Sequence, residues 1–271
     1  MSTPVRICIV GAAGRMGQRL LTLAREDPEL EIRGAVEQPG HPWAGQELAA
    51  VLPGGAKGLR VNAGLDAQCG AQVLVDFTLA EPSVQHAEEA ARLGWAAVIG
   101  TTGLNESQKE RLQQCSAKVP VICAPNFSLG VNVLFRAAAM VAKALGPEYE
   151  VEIVEAHHDQ KVDAPSGTAL ALAEHIAAAL SRDLKKAAVY GRKGVTGKRS
   201  GQEIGIHALR MGDVVGEHTA YFAVGGERLE LTHRAFSRDT FARGALRAAK
   251  WLIQNRKPPG MYSVAQMLGL E

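Results

Sequence analysis

"VRICIVGAAGRMGQRLLTLARE", residues 5 to 26, is the stretch on which the fold turns. Val5 to Val10 is an apolar run of strand length, interrupted only by Arg6, that stops at a glycine. Such a run reads as a strand buried on both faces. Gly11, Gly14 and Gly17 follow with the spacing G-x-x-G-x-x-G, and Met16, Leu20, Leu21 and Leu23 then recur at helical intervals. Glycines at these positions permit a tight turn and let the backbone approach a pyrophosphate seated on the N-terminus of the next helix. Strand, glycine-rich turn and helix, in that order, open a dinucleotide-binding βα unit.

The segments that follow repeat the alternation. "LEIRGAVEQ" predicts a second strand ending near Glu37, twenty residues beyond Gly17, where a carboxylate accepts hydrogen bonds from the adenosine ribose. "AQVLVDFT" predicts a strand ending at Asp76, "WAAVIGTTG" one ending at Gly100, and "VPVICAPNFS" one ending near Asn126. "EPSVQHAEEAARLG" and "NESQKERLQQCSA" are the amphipathic helices between them. Strands alternating with helices imply a parallel sheet covered on both faces. Ligands of such sheets bind beyond the carboxyl ends of the strands, so the turns Gly100–Gly103 and Ala124–Ser128 are placed to frame a nicotinamide with backbone amides. Thr101 and Thr102 also suit a helix cap ahead of "NESQKE". Gln38 follows Glu37, and "EQPGHPW" brings no cation to meet a 2′-phosphate; Arg15 in the turn is a partial offset. NADH is therefore expected to serve at least as well as NADPH.

Past the long apolar helix in "NFSLGVNVLFRAAAMVAKALG" the character changes. "YEVEIVEAHH" reads as a strand, while "GQEIGIHALRMG" and "VVGEHTAYFAVGGERLELTHR" alternate apolar and polar around Gly225-Gly226, as an antiparallel hairpin sheet does. A second domain begins near residue 129. The helix "TFARGALRAAKWLIQNR" fits either domain. Arg192, Lys193, Lys198 and Arg199 in "YGRKGVTGKRSG" read as a solvated loop rather than a nucleic-acid patch, because aromatic residues for base stacking are nearly absent.

With 46% hydrophobic and 21% charged residues, a chain of 271 residues buries a full core, and thirty basic against twenty-eight acidic residues create no global field toward nucleic acid or an anionic membrane. Cys8, Cys69, Cys115 and Cys123 form no C-x-x-C pair and have no histidine at metal-ligand spacing, so no metal site is expected. No window reaches the apolar length of a membrane span, and the N-terminus lacks the pattern of a secretory leader; a reducing, cytoplasmic setting is the expectation.

Titratable chemistry concentrates in "EAHHDQKVDAPSGTAL", residues 155 to 170. His157, His158 and Lys161 sit where a strand runs into a loop, and Ser166-Gly167-Thr168 opens a helix whose exposed amides favour a bound carboxylate. Two imidazoles, one ammonium and a helix N-terminus make a site for a small anion with more than one carboxylate, with histidine and lysine as available proton donors. A polar loop in which Asp163 and Ser166 merely cap the helix is the plainer alternative.

"GAAGRMG", "GTTG", "APNFS", "EAHHDQKVDAPSGTAL" and "GEHTAYFAVGGERLELTHRAFSRDTFARGAL" together resemble the 4-hydroxy-tetrahydrodipicolinate reductases, or dihydrodipicolinate reductases, of the diaminopimelate route to lysine. The resemblance runs over essentially the whole chain. It implies an α/β fold: a Rossmann-type parallel-sheet domain over residues 1–128, to which residues 239–271 return, and an α+β domain with a mixed, largely antiparallel sheet over residues 129–238 that binds substrate and builds a homotetramer. Hinges near residues 128 and 238 would allow closure. The resemblance gives His157 the role of proton donor and acceptor, Lys161 that of second donor, and His158 that of a carboxylate ligand, with the amides of Gly167 and Thr168 holding a carboxylate. Cofactor contacts fall to Gly11, Ala12, Ala13, Gly14, Arg15 and Met16, to Glu37, to Gly100, Thr101 and Thr102, and to Ala124, Pro125, Asn126 and Phe127. The implied reaction uses NADH or NADPH on a small cyclic dicarboxylate: the 4-hydroxyl leaves as water, hydride adds to the resulting conjugated double bond, and His157 or Lys161 protonates the adjacent carbon. The family's NADP-selecting arginine, where present, falls at the position held here by Gln38.

Two other readings compete. A semialdehyde dehydrogenase joins similar domains but needs an activated thiolate, for which Cys123 is the nearest candidate. A nicotinamide-binding sensor without chemistry conflicts with the intact pair His157 and Lys161.

Overall fold

In the computed structural model, which describes residues 3–271, the apolar run forms β1 (Val5–Val10) and leads through the glycine turn into α1 (Arg15–Glu26). Strand alternation divides β1 between two cores. Val5, Ile7 and Ile9 join one, and Cys8 and Val10 join the other. The chain continues through β2 (Leu30–Val36), α2 (Leu48–Val51), β3 (Val61–Asn62), β4 (Val73–Asp76), α3 (Ala80–Arg92), β5 (Ala96–Ile99), α4 (Glu106–Ser116) and β6 (Pro120–Cys123). β6 stops three residues short of Asn126. The amide of Ala124 still donates to Ile99 O, but Pro125 has no N–H to continue the ladder.

A different unit follows, Gly130–Ser237. It contains α5 (Leu129–Leu145), which starts one residue earlier, then β7 (Glu150–His157), α6 (Gly167–Ala179), α7 (Leu184–Ala187), β8 (Ala188–Tyr190), β9 (Ile204–Arg210), β10 (Gly216–Val224) and β11 (Glu227–Ala235). From Arg238 to Glu271 the chain returns to the first unit as α8 (Asp239–Gln254), β12 (Gly260–Tyr262) and α9 (Val264–Met267).

The first unit is a seven-stranded parallel sheet in the order β12-β6-β5-β4-β1-β2-β3. On one face lie α1 and α8, whose Leu20, Leu21, Ala245, Ala249 and Leu252 share a core with Ile7, Ile9, Val75 and Val98. On the other, Val84, Ala87 and Leu112 of α3 and α4 pack on Leu74, Ala97 and Val121. The residue pattern alone leaves α8 without an assigned side, and the resemblance returns it to the first domain. It packs beside α1, where Arg19 forms a two-bond pair with Asp239 (2.6 and 2.7 Å) and Lys250 reaches both Asp27 and Glu29 at 2.7 Å. Gly244 is required there, because a Cβ would overlap the carbonyl of Phe127.

The second unit has the sheet order β11-β10-β7-β9-β8. β10 and β11 form the hairpin predicted around Gly225-Gly226, and β10 is antiparallel to β7. β9 departs from the hairpin reading, since it runs parallel to β7 and to β8. Apolar–polar alternation marks a half-buried strand in either direction. The chain between β7 and β9 crosses over through α6, α7 and β8, and a crossover is what parallel neighbours need.

Candidate active site

At the carboxyl end of β1 the turn residues Gly11, Ala13, Gly14, Arg15, Met16 and Gly17 line a cavity of about 410 Å³ together with Glu37, Gln38, His41, Phe77 and Thr78. Gly11 adopts φ +70°, and a Cβ on Gly17 would overlap Gly11 O, so the turn closes only with glycine. Glu37 lies just past the end of β2. Its carboxylate accepts from the amide of Ala13 at 3.0 Å and of Gln38 at 2.9 Å, so it is tied to the turn itself. This is the shape and chemistry that a dinucleotide requires: bare backbone at a helix N-terminus, and an acidic group one strand over. Ala12 contributes only backbone, its side chain being fully buried.

The strand-end turns differ in how much they expose. Thr101, Thr102 and Pro125 line a separate cavity of about 480 Å³ with Gly103, Lys109, Cys123 and Met261. Thr101 Oγ1 donates to Thr78 O at 3.1 Å, a tie between two strand ends rather than a helix cap; the cap of α4 is Asn105, in a capping box with Gln108. Gly100 leaves room for the Phe77 ring, where a Cβ would collide. Ala124 and Phe127 are buried, Phe127 tilted against Phe77 with centroids 5.7 Å apart, and Asn126 Oδ1 accepts from the amide of Ser128 at 2.8 Å. Asp76, fully buried at the end of β4, accepts from Thr78 N and Oγ1 (both 2.6 Å) and pairs with His86 Nδ1 at 2.8 Å.

In the second unit one sheet face changes from apolar to polar along its length. On β7, Val151 and Ile153 lie in the core and Glu155 and His157 continue the same face. On β10, Phe222 and Ala220 give way to His218 and Gly216, and on β9 Ile204 and Ile206 give way, past Ala208, to Arg210. The register brings these ends together, with Glu155 opposite His218 and His157 opposite Arg210. α6 lies over this face with Ala169, Leu172 and Ile176 in the core, so its N-terminus falls at the polar end.

Glu155 is the centre of that end. It is fully buried, accepts from His157 Nδ1 at 2.6 Å and from the amide of Ser166 at 2.9 Å, and forms a two-bond pair with Arg210 at 2.8 and 2.9 Å. Burial alone would raise its pKa, but the hydrogen bonds from His157, Arg210 and Ser166 outweigh it and hold the group at about 2. Ser166 caps α6 by accepting from Ala169 N, and its Oγ meets His218 Nε2 at 3.1 Å. His218 is neutral: burial first, then the neighbouring His157, pushes it down to about 3. Asp163 does not cap the helix; its carboxylate pairs with Lys161 Nζ at 2.7 Å, and its carbonyl accepts from Arg210 at 2.6 Å. Gly167 is exposed at the start of α6, followed by Thr168, and His158 is half-buried beside His157.

Sequence alone points to His157, His158, Lys161, Gly167 and Thr168 but not to Glu155, Arg210, His218 and Asp76. Glu155 is within reach of the alternation rule, two residues from His157 on one strand face. Arg210 and His218 reach the site through strand pairing, which leaves no local signal. The basic loop proves less free than its composition: Arg192 and Arg199 both pair with Glu152, which also accepts from His207, leaving Lys193 and Lys198 exposed. Burial raises the Cys123 thiol to about 11, the opposite of the activated thiolate that a semialdehyde dehydrogenase needs. Among the described residues there is no cluster of His, Cys, Asp and Glu able to hold a metal, and no helix long and apolar enough to cross a membrane.

A family model described as dihydrodipicolinate reductase, N-terminus, matches residues 5–127, and one described as dihydrodipicolinate reductase, C-terminus, matches residues 130–268. The 4-hydroxy-tetrahydrodipicolinate reductase of Syntrophobacter fumaroxidans is 47% identical over 268 residues, 98% of this chain and 100% of its own. The protein of the same name from Alkalilimnicola ehrlichii is 48% identical over 266 residues, 98% of this chain and 99% of its own. Among solved structures, the dipicolinate-bound dihydrodipicolinate reductase from Paenisporosarcina sp. TG-14 matches with a TM-score of 0.75 at 24% identity, over 97% of this chain and 99% of that one.

Proposed function

Because the chain belongs to the dihydrodipicolinate reductase family, we propose that the polar end of its second unit is where the substrate of that reaction is bound and protonated. The activity is NAD(P)H-dependent reduction of 4-hydroxy-tetrahydrodipicolinate to tetrahydrodipicolinate with loss of water, in the diaminopimelate route to lysine. The bound nicotinamide supplies the hydride; the residues of the chain hold the ring, exclude water and move protons. The fit of the glycine turn and Glu37 to a dinucleotide agrees with that chemistry.

The observation that carries the site is one buried carboxylate, Glu155, that accepts from His157 and from the N-cap amide of α6, with Lys161 in the loop between them paired to Asp163. In this reading the amides of Gly167 and Thr168, with their end of the helix dipole, hold one carboxylate of a small cyclic dicarboxylate, and His158 meets a carboxylate as well. The solved relative named above as dipicolinate-bound carries a ligand of this class. The remaining group to supply is a proton at the carbon next to the one that accepts hydride. His157 and Lys161 are its two donors, and Lys161 must leave Asp163 or share it to reach substrate. Around the cofactor, Gly11 to Met16 take the pyrophosphate and Glu37 the ribose, while Gly100 to Thr102 and Ala124 to Phe127 frame the nicotinamide. Gln38 supplies no charge for a 2′-phosphate, so NADH is turned over at least as well as NADPH. The second unit also builds a homotetramer, and the free thiols of all four cysteines fit a reducing cytoplasm.

The test follows absorbance at 340 nm with substrate generated in situ by the upstream synthase. Wild type oxidises NADH at a rate equal to or above that with NADPH. His157→Gln and Lys161→Ala each lower kcat by roughly a hundredfold or more, the range of general acid–base catalysis. Unchanged turnover in both variants would remove the proposed proton donors.

A further inference from the structure

We infer that Glu155, held by Arg210, is a positioning residue that fixes at once the tautomer of His157 and the N-terminus of α6, an inference that rests on the proton-transfer role proposed for His157. A carboxylate can only accept, so the proton between Glu155 and His157 belongs to Nδ1. Any proton that the imidazole exchanges with substrate must then pass through Nε2. Space is kept on that side of the ring: a Cβ on Gly216 would lie 3.1 Å from Nε2 and 3.4 Å from Cδ2. The Nε2 of His218, by contrast, is engaged with Ser166 Oγ, and its ring stands edge-on to His157 with centroids 5.1 Å apart.

The same carboxylate does a second job with its other oxygen. Oε1 accepts from the amide of Ser166, the N-cap of α6, and from Arg210 Nη2. Arg210 in turn donates from Nη2 to the carbonyl of Asp163, in the loop that carries Lys161. A single buried group therefore sets the positions of the proposed acid and of the proposed carboxylate-binding amides, and through Arg210 it steadies the loop of the second donor. Arg210 balances its charge, as a buried carboxylate requires. Glu155 on its own strand pairs with His157, His218 on β10 stands edge-on to its ring, and Arg210 on β9 reaches it through Glu155, while Lys161 and His233 lie within electrostatic range of His218.

The first measurement is made on the wild-type protein. Long-range ¹H–¹⁵N correlation of histidine-labelled protein, with His157→Gln to assign the signal, is expected to find neutral His157 protonated at Nδ1. A neutral ring protonated at Nε2 overturns the inference. Glu155→Gln is the second arm, because an amide can donate to Nδ1 and so reverse the tautomer. It is expected to move His157 to the Nε2–H form and lower kcat by roughly a hundredfold, as removal of an orienting partner does, with KM for NADH unchanged. Arg210 is then left without its counter-charge. The double variant Glu155→Gln, Arg210→Gln removes that penalty, and recovery of thermal stability without recovery of kcat is the expected result. Recovery of kcat along with stability would make the pair merely structural and sink the proposal. Wild-type kcat in Glu155→Gln, while His157→Gln is inactive, likewise overturns the positioning role but leaves the proton donor standing. Full activity in His157→Gln would instead strike the functional reading beneath it.

Discussion

Gly17 is one of three glycines in the proposed cofactor turn and among the most constrained. Its spacing from Gly11 and Gly14 announces a phosphate-binding turn, and the geometry supplies the reason, since a methyl group there would run into the carbonyl of Gly11. Gly17→Ala is expected to cost about 1–3 kcal/mol of stability through overpacking. The larger loss falls on the cofactor: displacement of the turn should weaken NADH binding by about 1.4 kcal/mol or more, a tenfold rise in Kd. Fluorescence titration with NADH and thermal melting separate the two effects. A variant that melts early but binds as wild type would mean the glycine serves only packing. Glu37 is legible in the sequence by the same spacing rule. Its hydrogen bond to Ala13 is not, because it joins two turns from different strands.

At the level of elements, a buried face that ends in charges leaves its mark on acid stability. Glu155 links β7 to β9 through Arg210 and to α6 through Ser166, and Glu152 links β7 to the basic loop through Arg192 and Arg199. In each case burial opposes ionisation and the hydrogen bonds outweigh it, so both pKa values fall from 4.5 to about 2. Groups depressed on folding stabilise the native state above their unfolded pKa and lose that contribution as pH falls through the folded value. The melting temperature is therefore expected to decline between about pH 4.5 and pH 2, and the decline should be shallower in Glu155→Gln. A profile of equal slope in wild type and variant would contradict the assignment. Elements with a strong local pattern, β1, α1, β4 and β5, are readable from sequence. β12 is not, being three residues long after a proline pair, and the direction of β9 is not, because pairing direction is decided by the path of the chain rather than by alternation.

For the whole molecule, the proposed tetramer is the property furthest from local sequence. The β10–β11 hairpin exposes Leu229 at 42% and Val224 at 37%, and β11 is an edge strand of its sheet. Edge strands with apolar residues are covered in stable proteins. Sedimentation velocity is expected to give a species of about four times the 28.8 kDa chain. Glu or Lys at both positions should shift it toward smaller species, and a wild-type monomer would remove the proposal. That the chain leaves its first unit and later returns to it is implied by family resemblance and not by any motif.

That return also orders events on the ribosome. α8 shields one face of the parallel sheet with Ala245, Ala248, Ala249 and Leu252, and β12 completes its edge beside β6. Until the residues through Tyr262 have emerged, Ile7, Ile9, Val75 and Val98 lack part of their cover, although all of their own strands have long been synthesised. Gly130–Ser237, continuous in sequence, has its whole core available earlier. The part of the protein translated first is the last to be finished, and the nascent chain must keep an unfinished apolar sheet from aggregating while more than a hundred later residues are added.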